Sequence, residues 1–152
     1  MYRLISNIAK RCHAAATKRG KDTSGLGCLQ SLGVELSEYW KAVDNGKTIP
    51  DFVETVAKAI GLLDKDFNAL YDAKIHNTVL DELADILIVA ATWLHSTRLS
   101  EGENFKPERS TDVMMLCGAL QFICSQITKP GEMEKLRIVV NLKMRYNETR
   151  ND

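Results

Sequence analysis

The chain has 152 residues, of which 45% are hydrophobic and 26% charged, with 20 Lys+Arg against 20 Asp+Glu. That length suits a single domain, 1–152, that buries a core without staples. The cancelled charge excludes an overall field that would draw the chain to nucleic acid or to an anionic membrane, so any charge used in binding is local.

Residues 2–18 place Leu4, Ile5, Ile8, Cys12 and Ala15 three and four apart, which predicts one buried helical stripe. The same stretch, through Lys21, carries six Lys or Arg and no acid before Asp22. A transit peptide shares that composition, and a first helix with a basic face accounts for it as well. KRGKDTSGLG at 18–27 breaks the pattern, and a second helix is expected from about Gly27 to Val43, ended by the DNG turn at 44–46. Pro50 and Asp51 open a third element on Phe52, Val53, Val56, Ala57 and Ile60, up to Gly61, and a weaker piece follows over 64–73.

The strongest pattern is a helix over about 77–98 with Asn77 as its cap, apolar nearly all round and therefore central. LSEGENFKPERS at 99–110 reads as a loop. Val113, Leu116, Cys117, Leu120, Ile123, Cys124 and Ile127 then predict a helix over about 110–128. KPGEMEK turns the chain into a last helix that runs to about Tyr146. No strand pair or repeat competes, so the fold class is all-α.

The four cysteines, Cys12, Cys28, Cys117 and Cys124, form no CxxC pair and read as reduced core thiols. Tyr39, Trp40 and Trp93 read as core aromatics. The longest apolar run, ILIVAATWL at 86–94, is half a membrane span, so a soluble, cytoplasmic protein is expected. NGKT at 45–48 imitates the end of a P-loop but lacks the earlier glycine and the preceding strand. It reads as a turn.

Two acidic pairs carry the chemistry. Glu35 and Glu38 in GVELSEYWKA, and Glu82 and Asp85 in TVLDELADILI, stand three apart, which puts both members of each pair on one helix face about 4.5 Å apart along the axis. A lone pair of this kind is usually a solvated outer face. Two pairs make that less fitting: on the 77–98 helix the acids at 81, 82 and 85 have little wet surface to share, and bare carboxylates about 4 Å apart repel by about 4 kcal/mol at an effective dielectric near 20. If the two helices face each other, four oxygen donors converge on a hard cation such as Mg²⁺ or Mn²⁺. A di-iron bundle needs Glu-x-x-His pairs, and no glutamate here has a histidine three residues on.

ELSE at 35–38 followed by ELAD at 82–85 resembles the ExxE and ExxD motifs of the MazG-like nucleoside triphosphate pyrophosphohydrolases. CHAAATKRG at 12–20, NTVLDELADILI at 77–88 and NLKMRYNETR at 141–150 resemble the family's flanking segments, in family order. The resemblance implies a MazG-like helical bundle with a four-helix core completed by oligomerisation, as a homodimer or homotetramer. It implies hydrolysis of a nucleoside triphosphate to monophosphate and pyrophosphate, with Glu35, Glu38, Glu82 and Asp85 as Mg²⁺ ligands, and Glu38 is expected to be the acid closest to the attacking water. Lys143, Asn147 and Arg150 would then hold phosphate or sugar with Tyr146 beside them, and their steps of four and three would face one side if the last helix reaches that far. Two other readings remain: a phosphoribosyl-ATP pyrophosphohydrolase-like enzyme, and a non-catalytic helical module whose acidic patches bind a basic partner.

Overall fold

A computed structural model describes residues 1–104, 106 and 111–150. Seven helices make up the described residues, without a strand among them: α1 (Tyr2–Lys18), α2 (Gly25–Asp44), α3 (Phe52–Ile60), α4 (Asp64–Lys74), α5 (Val79–Glu101), α6 (Thr111–Gln126) and α7 (Glu132–Thr149). α5 packs against α1, α2, α6 and α7, whereas α3 packs on α4, and α4 packs on α7 and reaches α5 through Tyr71. The central place of α5 follows from its composition, because Leu83, Ile86, Leu87, Ala91 and Leu94 leave no wholly polar side and all are buried. No helix among the described residues is long and apolar enough to cross a membrane.

Several ends differ from the sequence expectation for local reasons. α2 begins two residues early, inside SGLG, because the Ser24 hydroxyl accepts a hydrogen bond from the Gly27 amide at 3.1 Å and so caps the first turn. The cap of α5 is Thr78 and not Asn77. Asn77 takes a left-handed turn conformation, φ +62°, and its amide donates to Asp81 Oδ2 at 2.9 Å. α5 also runs on to Glu101 and a short 3-10 turn covers Gly102–Asn104, where a loop was expected. Of that expected loop, residues 105 and 107–110 lie outside the described residues.

Two burial expectations fail. Cys12 and Cys28 are core thiols, but Cys117 and Cys124 are exposed. α6 leans on α5 through the narrower face of Leu116, Ala119 and Ile123, which leaves the flank bearing both cysteines outside. Trp40 is likewise exposed, with its ring edge-on to Tyr39 and Phe122, whereas Tyr39 and Trp93 are buried.

α7 is longer than its apolar pattern suggests because polar contacts hold its far end. Arg145 Nη2 donates to the Leu62 carbonyl at 2.6 Å and to Asp64 Oδ1 at 3.0 Å, which ties α7 to the α3–α4 unit. Arg11 Nη2 donates to Glu148 Oε2 at 2.8 Å and ties it to α1. These clamps carry the helix through Thr149, and Asn147 and Arg150 line one cavity.

Candidate metal centre

A cavity of about 380 Å³ opens between the α1–α2 connection, α2, the first half of α5 and the end of α7. Gly27 shapes its rim. A Cβ there would stand 2.4 Å from the Asp22 carbonyl oxygen, so only glycine lets residues 21–23 fold over the first turn of α2. Asp22 Oδ1 accepts from the Ser24 amide at 2.9 Å and completes that turn. Lys21, Asp22 and Thr23 thereby line the cavity.

Glu35 enters from α2 and Glu82 and Asp85 from α5, and one carboxylate oxygen of each lies within 4.8 Å of the others. Glu38 stays outside this trio. It lines the cavity, but its Oε1 accepts from Lys41 Nζ at 2.9 Å on the outer surface of α2. Three of the four expected acids are therefore brought together, and the fourth stands beside them.

Asp81 is fully buried and has its own partners. Lys143 Nζ donates to its Oδ1 at 2.9 Å, the Tyr71 hydroxyl donates to the same oxygen, and His76 Nδ1 stands 3.3 Å from Oδ2. Burial pushes the Asp81 carboxyl up, but His76, Lys143 and Tyr71 together outweigh it and hold it below its ordinary range. Lys143 also reaches Asp85 Oδ2 at 2.7 Å. Burial works to lower the Lys143 pKa, and the two aspartates outweigh it and hold the ammonium charged.

The converging acids are less well served. One ammonium cannot neutralise two carboxylates, and Asp81 has the additional donors, so burial leaves Asp85 raised well above the usual range. Burial raises Glu35 too, with Lys143 and Lys21 only partly opposing it. Glu82 is pushed up to about 7 by burial and by the neighbouring Asp81 charge. The trio is thus short of positive charge in a place where its carboxylates cannot be well hydrated.

The same cavity also has basic lining. Arg19, Lys21 and Arg150 contribute to it, together with Asn147. Asn147 is buried, and its Oδ1 has no hydrogen-bond partner among the described residues. Of the four residues expected to hold phosphate or sugar, Asn147 and Arg150 line the cavity, and Lys143 lines it while bound to Asp81 and Asp85. Tyr146 turns away. Its hydroxyl donates to Asp72 at 2.5 Å and its ring stacks on Tyr71 at 4.5 Å. Cys28, Val34, Ile88 and Val89 supply an apolar patch.

Arg19, Lys21 and Asp81 have roles that the sequence reading did not assign. The first two lie in a basic run that also reads as a helix face; the end of α1 positions Arg19, and Lys21 lies beside Asp22, which packs on Gly27. All three acids of the trio are oxygen donors, the ligand type that hard divalent ions take. No protein-family model, curated protein or solved structure matches this chain.

Proposed function

We propose that this protein is a divalent-metal-dependent nucleoside triphosphate pyrophosphohydrolase, built as a MazG-like bundle that works as a homo-oligomer. The observation that carries the reading is the pairing, in one cavity, of a cation-deficient trio, Glu35, Glu82 and Asp85, with a basic lining of Arg19, Lys21 and Arg150. A polyphosphate bound to a metal ion needs both: acids for the ion and bases for the phosphoryl oxygens. The apolar patch of Cys28, Val34, Ile88 and Val89 is suited to a nucleobase.

In this reading Glu35, Glu82 and Asp85 hold Mg²⁺ or Mn²⁺. The bound ion supplies Lewis acidity toward the phosphoryl oxygens and toward water. Arg19, Lys21 and Arg150 hold the β and γ phosphates, and Asn147 Oδ1 accepts from a ligand hydroxyl such as that of the sugar. Glu38, on the wall but outside the trio, takes the proton of the attacking water. The water oxygen bonds to the α phosphorus, the bond from that phosphorus to the bridging oxygen breaks, and pyrophosphate leaves. An acidic docking patch has less support, because the trio sits inside a cavity and not on an outer face.

The test is incubation with each NTP and dNTP in the presence of Mg²⁺, with pyrophosphate and orthophosphate read separately. Pyrophosphate release that needs the metal, and that drops about 100-fold or more in Glu38→Gln while metal affinity holds, is the expected result. Orthophosphate as the sole product would move the attack to another phosphorus. No product from any nucleotide would end the reading.

A further inference from the structure

Five positions on one face of α2 are exposed, and a sixth, Leu36, is half-buried with part of its side chain against the core. Leu26, Leu29, Gly33, Leu36, Trp40 and Val43 follow one another at steps of 3, 4, 3, 4 and 3. At 100° per residue they fall within about 100° of arc. Leu26 is 65% exposed, Trp40 49% and Val43 38%, and no charged residue interrupts the series. Steps of three and four are the pattern of a helix seam that packs on another helix, and among the described residues only the edge of α6, through Phe122, touches it.

The series reads the same in both directions. Run antiparallel against a copy of itself, it pairs Leu26 with Val43, Leu29 with Trp40, and Gly33 with Leu36. The middle pair sets the smallest residue against a leucine, and a Cβ on Gly33 would meet nothing within 4 Å, so the approach there is open. A closed two-fold contact requires this property, in which one patch complements itself.

Area favours the same occupant. The seam is about 26 Å long at 1.5 Å per residue. α6 extends it sideways through Phe122, whose ring lies 6.1 Å from that of Trp40, and α6 carries a single charged residue, Asp112, and shows Met114 and Met115 outward. Two helix widths of about 10 Å each give on the order of 500 Å² of projected face per copy. Two such faces reach the roughly 1,000 Å² that a specific interface needs.

We propose that a second copy of this chain packs on the α2 seam about a two-fold axis between Gly33 and Leu36, with the two α2 helices antiparallel. The proposal specifies the partner surface for the homo-oligomer of the preceding section and does not depend on the chemistry assigned there.

Sedimentation of the full chain at micromolar concentration tests it. The wild type is expected to be a dimer, or a dimer of dimers, and Leu29→Glu and Trp40→Lys are each expected to lower its mass to the monomer. Combining both substitutions in one chain sets the new charges opposite each other twice, and the dimer is expected to return. Val53→Glu, on an exposed apolar position of α3, is the control and should change nothing. Helix content by circular dichroism accompanies each variant, and Val43→Glu, near the helix end, replaces any variant that unfolds. A monomeric wild type, a Leu29→Glu dimer, or a double variant that stays monomeric would overturn the proposal. Mn²⁺ titration of the monomeric variant reports separately whether the acid trio still binds.

Discussion

Asp81 and Glu82 are neighbours in the chain and both are buried, yet they reach opposite electrostatic states. Asp81 points toward α4 and α7, where Tyr71, His76 and Lys143 surround it, and its pKa is lowered. Glu82 points toward α2, where it meets Glu35 and the Asp81 field, and its pKa is raised to about 7. One helix turn therefore holds an internal salt bridge on one side and an unmet demand for a cation on the other. A buried acid that the fold has already satisfied stabilises the structure, and one it has left unsatisfied is available to a ligand.

Breaking the satisfied side has the largest expected effect. Lys143→Met leaves Asp81 and Asp85 without their shared counter-charge, and loss of one partner of a buried ion pair costs about 3–5 kcal/mol. Chemical denaturation should show that loss, with Mg²⁺ recovering part of it through Asp85. A loss under about 1 kcal/mol would mean that Tyr71 and His76 hold Asp81 without the lysine.

The unsatisfied side should respond in the opposite direction. A carboxyl whose pKa is raised from 4.5 to about 7 on folding binds its proton more tightly in the native state. Between those values stability falls as pH rises, by at most about 3 kcal/mol for this group. Without metal, the protein should therefore be more stable near pH 5 than near pH 8, and millimolar Mg²⁺ should remove most of that slope. Glu82→Gln is expected to be more stable than the wild type at pH 8 by about 1–3 kcal/mol, equal to it near pH 4.5, and to bind Mn²⁺ at least tenfold more weakly. A Glu82→Gln protein that is less stable at pH 8 would show that the glutamate is structural after all.

The contrast also marks what could be read from the residues alone. The helical periods of α2, α5 and α7 are visible because apolar spacing follows directly from packing on a core, and the two ExxE-type pairs are visible because a step of three fixes a shared face. What spacing does not carry is which face a neighbour covers. Cys117, Cys124 and Trp40 sit on good stripes and are exposed, because α6 and α2 use adjacent flanks to meet the bundle. Nor can spacing separate Asp81 from Glu82. The residue that decides between them, Lys143, is 62 positions downstream of Asp81. It was expected to hold phosphate, and the fold places it between two aspartates. Arg19 lines the cavity from the end of α1 and Lys21 from the turn beside it, which requires knowing that Asp22 packs against Gly27.

The mildest perturbation is also the sharpest in sign. Lys21 is exposed, lines the cavity and helps to lower the Glu35 pKa, so its charge acts on both ligands. Lys21→Ala removes a repulsion on the divalent ion and an attraction on the polyphosphate. The bare protein should then bind Mn²⁺ about twofold to fivefold more tightly while the KM for nucleotide rises by a similar factor, as expected for an exposed charge worth under about 1 kcal/mol. Both shifts should fade between 0.05 and 0.5 M salt, since the Debye length falls well below the width of the cavity. Calorimetry without nucleotide and kinetics with it separate the two. If both affinities weaken together and ignore salt, Lys21 acts by holding the α1–α2 turn in place, and the phosphate wall is reduced to Arg19 and Arg150.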